Sequence, residues 1–196
     1  RFPERRLAEA ALRRALLSLD AGDAAAAHRW TQTAENRCTQ GCTLNPKLLA
    51  LRGYLAIAQG DGPATERAGR ETLELATTSQ DREERANGLR LIGIGALLQG
   101  DAARGLVPLA EALEIDKQLS LPRAIANDLM ALARAHATLG ETRLQRAYLE
   151  RALVVAAADA NAPIFNQAKS ALAALPAEGI TGSSDPARPA NRRPAD

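Results

Sequence analysis

Two cysteines stand four residues apart in the stretch Asn36-Arg37-Cys38-Thr39-Gln40-Gly41-Cys42-Thr43, and they are the only two in a chain of 196 residues. Gly41, followed by Asn45-Pro46, marks this stretch as a loop. A loop lets two nearby Cα atoms reach the roughly 4.4–6.8 Å separation of a disulfide. A Cys38–Cys42 bond points to an oxidising compartment such as the periplasm or cell envelope, whereas two incidental thiols would suit the cytosol. Zinc chemistry needs more than this pair, because a closed site takes about four ligands. The only histidines, His28 and His136, lie far from the cysteines and from each other in sequence, so no metal is expected.

Other reactive groupings are missing from the sequence. There is no nucleophile elbow, no His-Glu-x-x-His and no Gly-rich phosphate loop. Gly93-Ile94-Gly95 falls inside a helical pattern and reads as close helix packing. Glu83 and Glu84 are adjacent, so on a helix they point about 100° apart and make ordinary surface charges rather than an acid–base pair. His28, next but one to Trp30, reads as a surface residue. Neither a catalytic residue nor a cofactor is expected, and the chain reads as non-enzymatic.

Composition says which elements must carry these residues. The apolar content is 46%, but aromatics supply only 3%. Ala and Leu dominate while Val, Ile and Phe are scarce, which excludes a β-sandwich or barrel. No apolar run approaches about 18 residues, so no membrane span is expected. Net charge is +2 from 25 basic and 23 acidic side chains. Acids and bases alternate along the chain, as in Asp81-Arg82-Glu83-Glu84-Arg85, which suits solvated helix faces and not a basic nucleic-acid footprint. Arg greatly outnumbers Lys, a bias of GC-rich bacterial genomes. The chain opens at Arg1 with no apolar leader, so a mature or truncated form is expected. An all-α protein remains.

The helices repeat. Tight-turn signals recur at Ala21-Gly22-Asp23, Gln59-Gly60-Asp61, Gln99-Gly100-Asp101 and Leu139-Gly140-Glu141, with glycines spaced 38, 40 and 40 residues apart. Gly closes one helix in the left-handed conformation, and the acid after it suits the positive N-terminus of the next. Small residues recur on both flanks. Seven before the glycine stand Ala15, Gly53, Gly93 and Ala133; twelve after it stand Ala34, Thr72, Ala112 and Ala152. Five after it stand Ala27, Thr65 and Gly105, with Gln145 departing from the pattern.

The pattern predicts helices over 4–20 and 23–37, 46–59 and 63–77, 82–99 and 102–117, and 122–138 and 141–159, with a ninth over 163–175 covering the open end. Asn45-Pro46, Ser120-Leu121-Pro122 and Asn161-Ala162-Pro163 each place a capping side chain before a first-turn Pro. A solenoid domain over 1–177 and a disordered Pro- and Arg-containing tail over 178–196 follow.

Ile92-Gly93, Gly100, Gly105, Leu109, Ala112 and Leu113 in the third repeat, and Leu132, Ala133, Gly140, Leu149 and Ala152 in the fourth, resemble the tetratricopeptide repeat. The resemblance covers roughly residues 4 to 160, with the second repeat degenerate beyond its turn. It implies a right-handed α-solenoid of about four helix-turn-helix repeats plus a C-terminal capping helix. The period is longer than the family's usual 34, and the extra residues are assigned to helix B and the loop after it, as in Thr77–Gln80 and Lys117–Ser120.

The resemblance also implies a concave groove lined by the first helix of each repeat. Carried over position by position, the groove holds Leu12, Arg13 and Leu16; then Tyr54 and Ile57; then Asn87, Arg90, Leu91 and Ile94; then Asn127, Met130 and Arg134. Asn87, Arg90, Asn127 and Arg134 have the chemistry of the family's carboxylate clamp but do not follow its full pattern. His136 falls where the repeat packs an aromatic and so reads as core. Trp30 and Tyr148, both eight residues after a turn glycine, are expected to pack between second helices, and Phe2 and Phe165 to cap the ends. The implied function is an interaction scaffold that holds a partner peptide or subunit, with no chemical step, in the cell envelope. Long-period repeats of this kind also occur in large bacterial transcription activators, which leaves a cytosolic sensor segment as the alternative.

Overall fold

The structure is a computed structural model describing residues 2–38 and 42–176; the tail expected over 178–196 and the side chain of Phe2 lie outside the described residues. Helices take up 85% of the described residues, and no strand occurs among them. In chain order they are α1 (Phe2–Asp20), α2 (Ala24–Arg37), α3 (Asn45–Gln59), α4 (Gly62–Ser79), α5 (Arg82–Leu98), α6 (Ala102–Gln118), α7 (Pro122–Thr138), α8 (Thr142–Ala158) and α9 (Ala162–Ala173). No helix among them is long and apolar enough to cross a membrane.

Each helix packs on the next, and α1–α3, α3–α5, α5–α7 and α7–α9 also touch. Among the described residues the even-numbered helices make no such contacts with one another. The odd helices therefore form an inner layer and the even ones an outer layer. This is an α-solenoid of four hairpins closed by a single helix. Its curvature brings the end of α1 to the start of α7, where Arg123 Nη1 lies 3.0 Å from Asp20 Oδ2.

The turns obey local chemistry. Gly22, Gly60, Gly100 and Gly140 all adopt φ between 72° and 82°, the left-handed region that only Gly enters freely. Asp23, Asp61, Asp81, Asp101 and Asn161 each accept the backbone N–H three residues on, capping α2, α4, α5, α6 and α9. The turns between hairpins hold a second left-handed series at Gln80, Ser120 and Ala160. From residue 60 to 160 a left-handed residue thus recurs every 20 positions. Two expected caps are absent. Asn45 is already inside α3 behind Leu44, and Ser120 occupies the left-handed turn position, leaving Leu121 to precede α7 without a side-chain cap. The extra residues of the long period enter the helices: α5, α6, α7 and α8 each have 17 residues.

The small residues sit where helices meet. Ala15, Ala27, Ala34, Thr65, Thr72, Ala112, Ala133 and Ala152 are almost wholly buried. Around them Leu51, Leu91, Leu109, Leu129, Leu132 and Leu149 are buried to a similar degree, each contributing about 1.5–3 kcal/mol. The tightest seam joins the second and third hairpins. A Cβ on Gly69 of α4 would stand 2.8 Å from the Gly88 carbonyl oxygen, and one on Gly88 of α5 would stand 2.8 Å from the Leu73 amide nitrogen. Gly95 likewise abuts the backbone of Glu66, so the Gly93-Ile94-Gly95 stretch serves close packing.

Candidate functional site

Five polar side chains from four helices, three of the inner layer and α6 of the outer, come into contact. Arg90 of α5 is 3% exposed, and Asp116 of α6 and Asp128 of α7 are 1% and 0% exposed. Arg90 Nε donates to Asp128 Oδ1 at 2.5 Å, while Nη2 donates to Asp116 and, at 3.4 Å, to Asp128 Oδ2. Arg90 Nη1 donates to Asn87 Oδ1 at 2.6 Å and to the Tyr54 oxygen at 3.0 Å. The Tyr54 hydroxyl in turn donates to Asn87 Oδ1 at 2.9 Å. All three guanidinium nitrogens are thereby engaged, the condition under which a buried Arg is tolerated.

One cation faces two carboxyls, and the titration behaviour follows. Burial pushes Asp116 up to about 7, against the pull of Arg90 and with added repulsion from Asp128. Burial also raises Asp128, again against the pull of Arg90. Both carboxyls are thereby shifted toward the protonated form, and the proton that is kept belongs to the pair. Burial works against the charge of Arg90, but the Tyr54 oxygen and the two carboxyls outweigh it and move its pKa up.

This arrangement corrects the groove expectation for Arg90. It is buried and saturated, because Asp116 and Asp128 compensate it from behind, so it has no donor to offer a partner's carboxylate. The clamp reading fails with it. Arg13, Tyr54 and Asn87 do come together, lining a cavity of about 280 Å³ with Glu9, Lys47 and Glu84. Arg134 lies elsewhere, on a separate and mostly apolar cavity of about 480 Å³ between α7, α8 and α9, beside Met130 and Leu149. Asn127 is exposed on α7 and lines neither of these two.

Cys38 and Cys42 form a disulfide, with Cα atoms 5.3 Å apart, at the end of α2. Trp30 and Tyr148 do not pack between second helices. The even helices stand apart, so both aromatics turn back onto their own hairpins: the Arg14 guanidinium sits 4.6 Å from the Trp30 ring centre, and His136 stacks on Tyr148 at 5.1 Å. His136 is 7% exposed and its Nδ1 is 2.5 Å from Glu141 Oε2. Phe165 packs against the C-terminal core. No group of His, Cys, Asp or Glu able to hold a metal occurs among the described residues.

Asp116 and Asp128 were not anticipated from the sequence. The available signal was an acid falling on an apolar stripe, since Asp116 lies three and four residues after Leu113 and Ala112, and Asp128 sits between Ala126 and Leu129. No protein-family model matches the chain, and no curated protein is significantly similar to it.

Proposed function

We propose that the chain is a non-enzymatic interaction scaffold of the tetratricopeptide-like kind, holding a partner peptide on its inner face, within an oxidising compartment. One observation carries this reading: Arg13, Tyr54 and Asn87, from three successive inner helices, line one cavity of peptide-side-chain size. Recognition in such a groove uses shape and a few placed polar groups, with no reaction. The disulfide supports the choice of compartment. It also weighs against the cytosolic sensor alternative.

Peptide display against the full, disulfide-bonded chain tests the reading. Leu16 lines the cavity and is 39% exposed, so Leu16→Asp alters the groove without entering the core. Selected peptides should bind Leu16→Asp at least tenfold more weakly than the parent. A library that yields no binders, or only binders indifferent to Leu16→Asp, rejects the groove. Thiol titration of unreduced protein from the native host tests the compartment: two reactive thiols would count against it.

A further inference from the structure

The inner cavity differs from its surroundings in one respect. Glu84, in the first turn of α5, is 3% exposed yet lines the cavity. Its Oε2 accepts a hydrogen bond from Asn87 Nδ2 at 3.2 Å. Its Oε1 accepts none among the described residues, although no fully enclosed side-chain oxygen there lacks a partner. Oε1 is therefore not fully enclosed, and Glu84 is one of the residues that line the cavity. A carboxylate oxygen that only solvent reaches, on a residue 3% exposed, is an acceptor left over for a ligand's donor.

The charges around it have a definite sign. Glu9, Glu83 and Glu84 line the cavity against Arg13 and Lys47. Arg13 is taken by Glu9, with Nη2 to Oε1 at 3.3 Å. Lys47 lowers the Glu84 pKa from a distance but forms no ion pair with it, and Asp81 and Glu83 act in the opposite direction. Burial dominates and the Glu84 carboxyl is pushed up, as expected for a charge short of compensation. Behind the wall, Arg90 is already committed to Asp116 and Asp128. The lining thus holds three acids against two cations, with Lys47 the one cation that makes no ion pair among the described residues.

We infer that this cavity is a seat for one cationic side chain, Lys or Arg, of the bound peptide, with Glu84 Oε1 accepting from its ammonium or guanidinium group. Asn87 holds the carboxylate in place from the Oε2 side, and Tyr54 forms the adjoining wall. An anionic peptide terminus, by contrast, would meet Glu84 and Glu83 at the same point. This inference rests on the peptide-binding reading above and specifies the chemistry of the partner.

Four pools of acetylated, amidated octapeptides test it, each with Lys, Arg, Glu or Leu fixed at a central position and the rest mixed. Binding is measured on the full, disulfide-bonded chain and on two variants. The Lys and Arg pools should bind the parent at least tenfold better than the Glu pool. Glu84→Gln keeps the shape and an acceptor for Asn87, and should remove that preference while leaving the Leu pool unchanged. Lys47→Met removes the competing cation and should strengthen it. Binding of all four pools alike, or a preference that survives Glu84→Gln, overturns the cation seat but leaves the scaffold reading standing. Failure of every pool to bind overturns both.

Discussion

Arg90 and Asp128 lie 38 residues apart on α5 and α7, and their side chains meet at 2.5 Å with both residues almost wholly buried. The bond ties the third hairpin to the fourth, and Asp116 and Tyr54 extend the tie to α6 and back to α3. Removing the cation leaves two carboxyls buried without it. Arg90→Ala should therefore lose about 3–5 kcal/mol, the range for breaking a buried ion pair from one side. The triple change Arg90→Met, Asp116→Leu, Asp128→Leu should restore most of that stability, because well-packed apolar replacements are often neutral or better. Urea unfolding measures both, and an Arg90→Ala loss below about 1 kcal/mol would show that the network is not a structural tie.

The shared proton makes stability depend on pH. The folded-state pKa of Asp116, about 7, lies above its ordinary value of 3.8. Between those values the native state keeps a proton that the unfolded chain releases. The stabilising contribution is therefore full below about pH 4 and is lost as pH rises through 7. One such group gives a slope of at most about 1.4 kcal/mol per pH unit. Unfolding midpoints measured from pH 4 to 8 should show this decline. Asp116→Asn should flatten it and make the protein more stable than the parent at pH 8. A parent profile that rises steadily over the same interval would contradict the assignment of the proton.

The helices were legible because their punctuation is local. Turn glycines, N-cap aspartates and small residues at fixed offsets need only a few neighbours to act, and each helix boundary falls within two residues of the pattern's estimate. The polar network was not legible. Arg90 reads as an exposed groove residue until Asp128, 38 residues on, and Asp116, 26 residues on, are seen to enclose it. Charge compensation across hairpins leaves no periodic trace in a single sequence. The separation of Arg134 from Arg13, Tyr54 and Asn87 was hidden for a related reason, because superhelical curvature decides which inner positions share a cavity.

The glycine seam between α4 and α5 carries a prediction of opposite sign to helix propensity. In an exposed helix, Gly→Ala gains about 1 kcal/mol. At Gly88 the added methyl would stand 2.8 Å from the Leu73 amide nitrogen and 2.9 Å from the Gly69 carbonyl oxygen. Both obstacles are backbone, so the helices must separate. Gly88→Ala should destabilise by about 1–3 kcal/mol, the cost of overpacking. Thermal unfolding followed by circular dichroism decides it, and a raised midpoint would mean that the seam has slack.

The two left-handed series differ in how well their residues suit them, and this sets up a reciprocal pair of substitutions. Gly140 sits at φ 75° with nothing within 4 Å of where a Cβ would go, so Gly140→Ala tests backbone strain alone. Ala160 sits at φ 51° and is exposed, so Ala160→Gly removes strain without removing packing. A left-handed L-residue costs about 1–2 kcal/mol. The greater freedom of Gly in the unfolded chain offsets about 0.4–1 kcal/mol of the gain. Ala160→Gly should therefore stabilise by about 0.5–1 kcal/mol and Gly140→Ala should destabilise by a similar amount. Equal and opposite shifts in the denaturation midpoint, at unchanged m-value, are the expected result. A loss of stability in Ala160→Gly would mean that the turn between α8 and α9 is held by something other than its backbone conformation.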